Sequence, residues 1–409
     1  MGRNPMTSGQ TFPSRPPSVV PWRPRQVWID RQVIDSPITA HVLRQLPDVP
    51  TTVIDGPPPG PPPVNQAALM TSAKRHLYVS AQKGRFLRAC PGATGQNTQG
   101  QLCCGYMTVD LIYNCNYDCT YCYLQSYVNA PYLTVYANIA QLFDELGTFL
   151  RAHPHQLVRI GSGEFSDSLS LDPLTGFARL LVPFVRQFPN VLFEFKTKSD
   201  LVDGLLDLDP QGRVMVSWSI NPEAVVQREE HKTASLAARL RAAQRCRAAG
   251  YKIGLHFDPL LYYPGWEVDY EPFVAQVFSA LAPADVTYMS MGSLRFPPAL
   301  KDVVRARFPK SRLMYAELVP GTDGKMRYFK PLRTEMYAKM LVWIRRHTAD
   351  TGLYLCMESQ EIWQKVFGHA PACSADVEQH IQDATQRSSG VPAAVVPLSS
   401  LTLSPRSGL

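Results

Sequence analysis

The sequence predicts an α/β fold built as a partial (β/α)6 TIM-type barrel. Three observations carry that reading. Between about residue 105 and residue 357, short apolar runs of strand length alternate with longer runs of helical periodicity. Repeated strand–helix units imply a parallel sheet, because parallel neighbours need a crossover long enough for a helix. About six such units are too few to close a full barrel, so the sheet is expected to stay open.

The elements follow in order. Met107–Tyr113 reads as the first strand and stops just before a group of cysteines. Asn138 is placed to cap a helix carrying Ile139, Leu142, Phe143, Leu146, Phe149 and Leu150 on one face. Leu157–Ile160 is a short strand leading into Gly161-Ser-Gly-Glu164. Leu174–Phe188 reads as a helix, and Val191–Lys198 and Val214–Ile220 as strands. Ala234–Ala249 is a helix stopped by Gly250. Ile253–Leu260 and Val286–Met291 are strands, Glu335–His347 is a helix and Leu353–Met357 is the last strand. Functional side chains of such a barrel gather at the C-terminal ends of its strands. The cysteine run, residues 161–167, Thr197, Lys198, Asn221, Asp258 and Glu358 fall there.

The flanks differ in composition. Residues 1–65 are rich in Pro, Arg, Ser and Thr, and the run Pro57 to Pro63 excludes helix and central strand. They are expected to form a Pro-rich arm or linker, although Val27–Leu46 is apolar enough to dock on the body. Residues 66–370 are expected to hold the core. Residues 371–409 read as a flexible C-terminal tail, poorly ordered after about Thr385. With 45% hydrophobic residues a sizeable core can be buried. The charge of +7 is compatible with a polyanionic partner without demanding one. No apolar stretch approaches a membrane span, and the N-terminus lacks the apolar region of a signal peptide. Nine cysteines, an odd number with three in a metal spacing, point to a reducing, cytoplasmic setting.

Cys115, Cys119 and Cys122 form a C-x3-C-x2-C group. Three closely spaced thiolates can hold three irons of a [4Fe–4S] cluster and leave the fourth open to chelate a small molecule. Structural zinc wants four ligands, often as paired C-x2-C units, and no second pair follows. A disulfide framework suits a small secreted domain rather than 409 residues. Just upstream, Cys90, Cys103 and Cys104 are candidates for a second metal site, with Cys356 or Cys373 as a further ligand; the alternative is buried local thiols. Cys246 reads as helix core. Lys74, Arg75, Lys83, Arg85 and Arg88 form a basic segment suited either to a nucleic-acid backbone or to a solvated loop. The tyrosines crowded around the cysteines, among them Tyr121 and Tyr123, suit barrel core and cluster shielding.

The cysteine loop after a first strand resembles the radical S-adenosylmethionine (SAM) superfamily. The string Tyr121-Cys-Tyr-Leu-Gln125, with Pro131-Tyr, Val135-Tyr and Asn138, resembles the spore photoproduct lyase family more narrowly. Phe165-Ser-Asp167, Asp172 to Thr175, Thr197-Lys198 with Val202-Asp203, Ser219-Ile-Asn221, Ala248 to Tyr251 and Gly265-Trp266-Glu267 continue the resemblance over roughly residues 105–345. It implies a radical SAM barrel, a [4Fe–4S] cluster on the three cysteines, and SAM as cofactor. It also implies an electron donor such as flavodoxin or ferredoxin, and reductive cleavage of SAM to a 5′-deoxyadenosyl radical. The family's substrate is a methylene-bridged thymine dimer in DNA, so DNA or RNA is the expected partner and carbon–carbon lyase chemistry the expected reaction. Tyr123 resembles a family tyrosine implicated in radical relay. Tyr121, Ser166, Lys198, Ser219, Asn221 and Arg239 are candidates for contacts to SAM or substrate phosphate. Glu164 stands where the family's repair enzymes place a hydrogen-donor cysteine. Gly163-Glu164 also resembles the Gly-Gly-Glu element of other radical SAM enzymes, whose acid receives the SAM ammonium. Two other functions compete with base repair: a radical SAM enzyme acting on a peptide or biosynthetic small molecule, and a non-catalytic iron–sulfur protein that binds nucleic acid.

Overall fold

The computed structural model describes residues 22–58, 65–90, 100–130 and 132–387. Its main sheet contains seven parallel strands in chain order: Met107–Val109, Val158–Gly161, Val191–Thr197, Val214–Ser219, Lys252–Leu260, Val286–Ser293 and Gly352–Leu355. This is the expected partial barrel with one strand more than a six-unit count. Helices such as Ile139–Ala152, Leu236–Ala248, Trp266–Ala280 and Lys330–Arg345 fill the crossovers. The strands are buried along their length, as a parallel sheet covered on its outer face requires. Their inner face is polar. His256 joins Glu194 at 2.8 Å and Ser290 at 2.6 Å, and Tyr288 donates to Glu194 at 3.0 Å. Burial opposes ionisation of Glu194, but His256 and Arg159 together hold it well below the usual carboxylate range.

The sheet stays open along one side. At one edge Leu87–Ala89 runs antiparallel beside Met107–Val109. Beyond the other edge, Glu358–Ser359 pairs antiparallel with Gln101–Leu102. Among the described residues no strand joins the two edges. The expected first strand is divided. Met107–Val109 belongs to the barrel, whereas Ile112–Tyr113 pairs with Leu133–Tyr136 in a second sheet. The expected Leu174–Phe188 helix is broken by Gly176, whose φ of +66° is left-handed, into Asp172–Thr175 and Phe177–Val185.

The expected arm is folded from residue 22. Gln26–Asp30 and Thr51–Ile54 are parallel strands of the second sheet, whose order runs Thr51–Ile54, Gln26–Asp30, His76–Ser80, Leu133–Tyr136, Ile112–Tyr113. Between them Pro37 opens a helix to Gln45, capped by Ser36 on the Ile38 amide at 3.2 Å. Val27, Ile29, Ile38 and Val42 are fully buried. Composition concealed this unit because its strands are four and five residues long and gain their partners from residues 76–80. The start of the expected tail is likewise a helix, Ser374–Arg387, with Val377 and Ile381 buried against the last two barrel strands. A Cβ on Gly105 would meet the Glu378 carboxylate of this helix at 2.5 Å. Residues 1–21, most of the proline run (59–64) and 388–409 lie outside the described residues.

Candidate active site

The cysteine loop joins Ile112–Tyr113 to the short helix Leu124–Tyr127. Asn114 turns the chain with a left-handed φ of 76°, which asparagine tolerates, and its side-chain oxygen accepts the Cys115 amide at 2.8 Å. The Tyr117 amide donates to the Cys115 sulfur at 3.4 Å. The Gln125 amide spans the carbonyls of Cys119 and Thr120 at 2.9 Å each. Cys115 and Cys119 are buried and Cys122 is half-buried. Burial pushes the Cys115 thiol up to about 12 and Cys119 well above its ordinary value, and Cys122 charge adds to both. Soft thiolate donors that would repel one another when empty-handed fit irons that neutralise them, so the donor set suits a [4Fe–4S] cluster.

Acidic residues of this chain hold the loop to the barrel. Asp118-Cys119 pairs antiparallel with Glu230-His231. The Thr120 amide donates to the Glu229 carbonyl at 2.8 Å. Asp118 faces Arg307 at 2.6 Å, Lys232 at 3.3 Å and Lys74 at 3.4 Å. Lys74 is buried and also donates to the Tyr117 carbonyl. Its place in the basic segment is therefore under the cysteine loop and not on a nucleic-acid backbone.

Glu230 is the hub behind the loop, and sequence reasoning missed it. Tyr121 donates its hydroxyl to Glu230, and the Asn221 amide donates at 2.9 Å. Arg239 faces the second carboxylate oxygen at 2.6 Å, as an ion pair outside hydrogen-bond angles. The other Arg239 bonds go to the carbonyls of Ser219 and Ala234, at 2.9 Å each, and to the Thr233 hydroxyl at 2.7 Å. The Asn221 oxygen accepts from Tyr270 at 2.8 Å. Tyr121, Asn221 and Arg239 are thus brought together, and their polar atoms face protein partners. The signal that could have revealed Glu230, an acid within ten residues of Arg239, is too common in sequences to single out.

Glu164, Tyr123 and Lys198 sit at the mouth. Tyr123 donates to the Glu164 carbonyl at 2.8 Å. Burial raises the half-buried Glu164 carboxyl to about 6, against the pull of its hydrogen bond to Thr108. The Lys198 ammonium stands 5.8 Å from the Tyr121 ring centroid and makes no side-chain hydrogen bond among the described residues. Among the described residues the Ser166 hydroxyl reaches only the Asp167 carbonyl, at 3.3 Å. Ser219 ends its strand buried, with no side-chain hydrogen bond among the described residues. Asp167 organises the mouth. It accepts from the amides of Leu169, Ser170 and Lys198 and from the Thr197 hydroxyl, at 2.7 to 3.0 Å. Asp258 and Glu358 are paired with Arg295 at 3.3 Å and Arg333 at 3.0 Å.

The upstream cysteines meet at the open side of the barrel. The neighbouring Cys104 and Cys90 thiols, with burial, push the Cys103 thiol well above its ordinary value. Cys373 is exposed, and Cys356 accepts from Arg295 at 3.3 Å. Among the described residues no three Cys, His, Asp or Glu side chains close to the geometry of a single metal ion.

A laterally open parallel barrel with a three-cysteine loop beyond its first strand is the architecture of the radical SAM enzymes. The sequence pattern of the spore photoproduct lyase family matches residues 103–334, more than half of the chain. The spore photoproduct lyase of a Geobacillus species is 28% identical over 251 residues, 61% of this chain and 68% of that one. The Bacillus subtilis enzyme is 27% identical over 252 residues, with the same coverage. A solved structure of a spore photoproduct lyase variant with dinucleoside spore photoproduct aligns with a TM-score of 0.71 at 24% identity, covering 82% of this chain and 98% of that chain. Another variant, with SAM and the same dinucleoside bound, aligns with the same score and coverage at 23% identity. The chain belongs to the spore photoproduct lyase family, whose members are radical SAM enzymes of DNA photoproduct repair. No helix among the described residues is long and apolar enough to cross a membrane.

Proposed function

We propose that this protein carries out SAM-dependent radical chemistry on a thymine photoproduct in DNA, with Cys115, Cys119 and Cys122 as the cluster ligands. The observation that carries the proposal is the cysteine loop, fastened at the barrel mouth within reach of Glu164 and Tyr123. These three cysteines would hold a [4Fe–4S] cluster, which, once reduced by a donor of the flavodoxin or ferredoxin class, would supply the electron for cleavage of the S–C5′ bond of SAM. The chain's own residues bind and orient. Glu164 receives the SAM ammonium, because a half-buried carboxylate is the natural partner of a cation. Lys198 and the hydroxyls of Ser166 and Ser219 face the remaining polar groups of SAM or a substrate phosphate. Arg239, Asn221 and Tyr121 act through Glu230 to hold the loop in place.

The test is anaerobic reconstitution, reduction with dithionite, and incubation with SAM and dinucleoside spore photoproduct. Release of dithymine together with 5′-deoxyadenosine is the expected result. The alternative of a peptide or small-molecule substrate draws on one feature, Glu164 in place of a hydrogen-donor cysteine. It predicts 5′-deoxyadenosine without dithymine.

The Glu164 assignment has its own test. Glu164→Gln should weaken SAM binding by about 1–3 kcal/mol, since a charge-assisted bond becomes neutral. In the wild type, affinity should fall by about tenfold per pH unit below about 6, as the carboxylate takes up a proton, whereas the Gln variant should lack this dependence. Without ligand the sign reverses. Because burial raises this group, its contribution to stability is present below the ordinary value of 4.5 and is lost as pH rises through about 6. Equal affinity of the two proteins at pH 7.5 in anaerobic titration calorimetry (a pH chosen well above that value) would remove Glu164 from the SAM site.

A further inference from the structure

We infer that Tyr127 and Phe165 form an aromatic shelf that stacks a nucleobase flanking the photoproduct, so that the protein takes its substrate from a locally unpaired strand. The inference rests on the proposed chemistry on a thymine photoproduct in DNA and adds how the neighbouring nucleotide is held. Tyr127 closes the helix Leu124–Tyr127, one turn after Tyr123. Residues four apart lie on one face of a helix, so the two tyrosines share a side. Tyr123 donates to the Glu164 carbonyl at 2.8 Å. The next residue, Phe165, packs its ring against Tyr127, with centroids 5.6 Å apart and planes tilted by 31°. Tyr113 follows behind Phe165 at 5.8 Å and 34°. Three rings therefore form one stack, which runs from half-buried Tyr113 out to Tyr127 beside the residues proposed to meet SAM.

The outer end of that stack is open. Tyr127 is 57% exposed, although burial of its ring would be favourable. Tyr315 is more exposed, but Arg305 lies over its ring at 5.2 Å and takes its face. Among the described residues the Tyr127 ring stacks on Phe165 alone. A ring supported on one side and free on the other is what a base stacks on, and every base offers a π-face. The backbone of a strand held there is anionic. The same mouth offers Lys198, whose ammonium makes no side-chain hydrogen bond among the described residues, in a chain of net charge +7. A base on an anionic backbone needs a ring and a cation together, and the mouth supplies both. A base lying on Tyr127 cannot also stay stacked in a duplex, so the flanking nucleotide leaves the helix with the lesion.

The test is a binding cycle on the cluster-loaded protein with SAM, kept anaerobic and unreduced so that nothing turns over. A fluorescein-labelled single-stranded hexanucleotide with a central spore photoproduct is titrated by anisotropy with wild type, Tyr127→Phe and Tyr127→Ala. Two matching strands lack the base on the 5′ or on the 3′ side of the lesion. Removing one of these bases should weaken wild-type binding about five- to hundredfold, the effect of one base stacked on an aromatic side chain. Tyr127→Ala should bind the intact strand more weakly by the same factor and lose nothing further when that base is removed. Tyr127→Phe should match the wild type, because the ring and not the hydroxyl makes the contact. Equal losses on base removal in wild type and Tyr127→Ala would overturn the shelf and leave the photoproduct reading standing. A wild type indifferent to both flanking bases would do the same, and that arm uses unaltered protein, so it does not depend on the Ala variant folding. A Tyr127→Phe variant as weak as Tyr127→Ala would make the contact a hydroxyl one and also overturn the shelf. A wild type that binds the lesion strand no better than the same strand with unmodified thymines, and does not revert the lesion on reduction, would sink the substrate reading and the shelf with it.

Discussion

Replacing Cys115, Cys119 and Cys122 together by alanine should abolish 5′-deoxyadenosine formation and remove the iron, from about four atoms per chain to none. The effect is expected to be complete because, on the proposed assignment, three ligands of one loop would supply every protein bond to the cluster, and the loop offers no substitute sulfur. The variant should nevertheless fold. The loop is fastened through Asp118, Thr120 and the Tyr117 carbonyl, none of which is altered. Iron content, visible absorbance and product formation are measured on the same anaerobic preparations, with circular dichroism reporting the fold. A triple variant that still makes 5′-deoxyadenosine would show that the cluster is bound elsewhere.

Arg239→Ala should destabilise the protein by about 3–5 kcal/mol, the range for removing one partner of a buried ion pair. Both side chains are fully buried, so Glu230 would be left as an uncompensated charge or would have to take up a proton. The pH dependence follows from the same pair. Burial acts against ionisation of Glu230, but Arg239 foremost, with Lys198, Tyr121 and Asn221, holds it down at about 2. A depressed carboxylate contributes stability above its ordinary value of 4.5, and the contribution is lost as pH falls through about 2. In Arg239→Ala this acid-side slope should largely disappear. Denaturant unfolding from pH 7 to pH 3 measures both effects. Iron retention should fall too, because Glu230 pairs with Cys119 and receives Tyr121. Unfolding curves that coincide with those of the wild type would show that the pair contributes nothing to the fold.

The barrel is legible in the sequence because its strands are continuous apolar runs separated by helices, a pattern set by burial on both faces. The three cysteines are legible because their spacing is itself the chemistry. The divided strand at Asp110 and Leu111 is not, since both halves have the same composition and differ only in which sheet receives them. Nor is the strand Thr51–Ile54, which is mostly exposed and exists because Gln26–Asp30 lies beside it. Among the site residues, Asn221 stands out as a polar group just past a strand end and Arg239 as one on a crossover helix. Only the pairing of the two-residue strands Asp118–Cys119 and Glu230–His231, more than a hundred positions apart, shows that they face Glu230.

The salt bridges around Asp118 also carry a consequence for how the protein is made. Lys74 comes from the N-terminal unit, Lys232 from the middle of the barrel and Arg307 from a late helix, and all three close on one carboxylate. As the chain leaves the ribosome, the cysteines emerge early, yet their fastening is finished only when residue 307 has been synthesised and docked. A nascent chain halted before that point presents three thiols on an unsecured loop, open to oxidation or to the wrong metal. On the proposed ligand assignment, iron delivery would therefore be best timed to the completed chain, and the order of translation would itself become part of how the cofactor is protected.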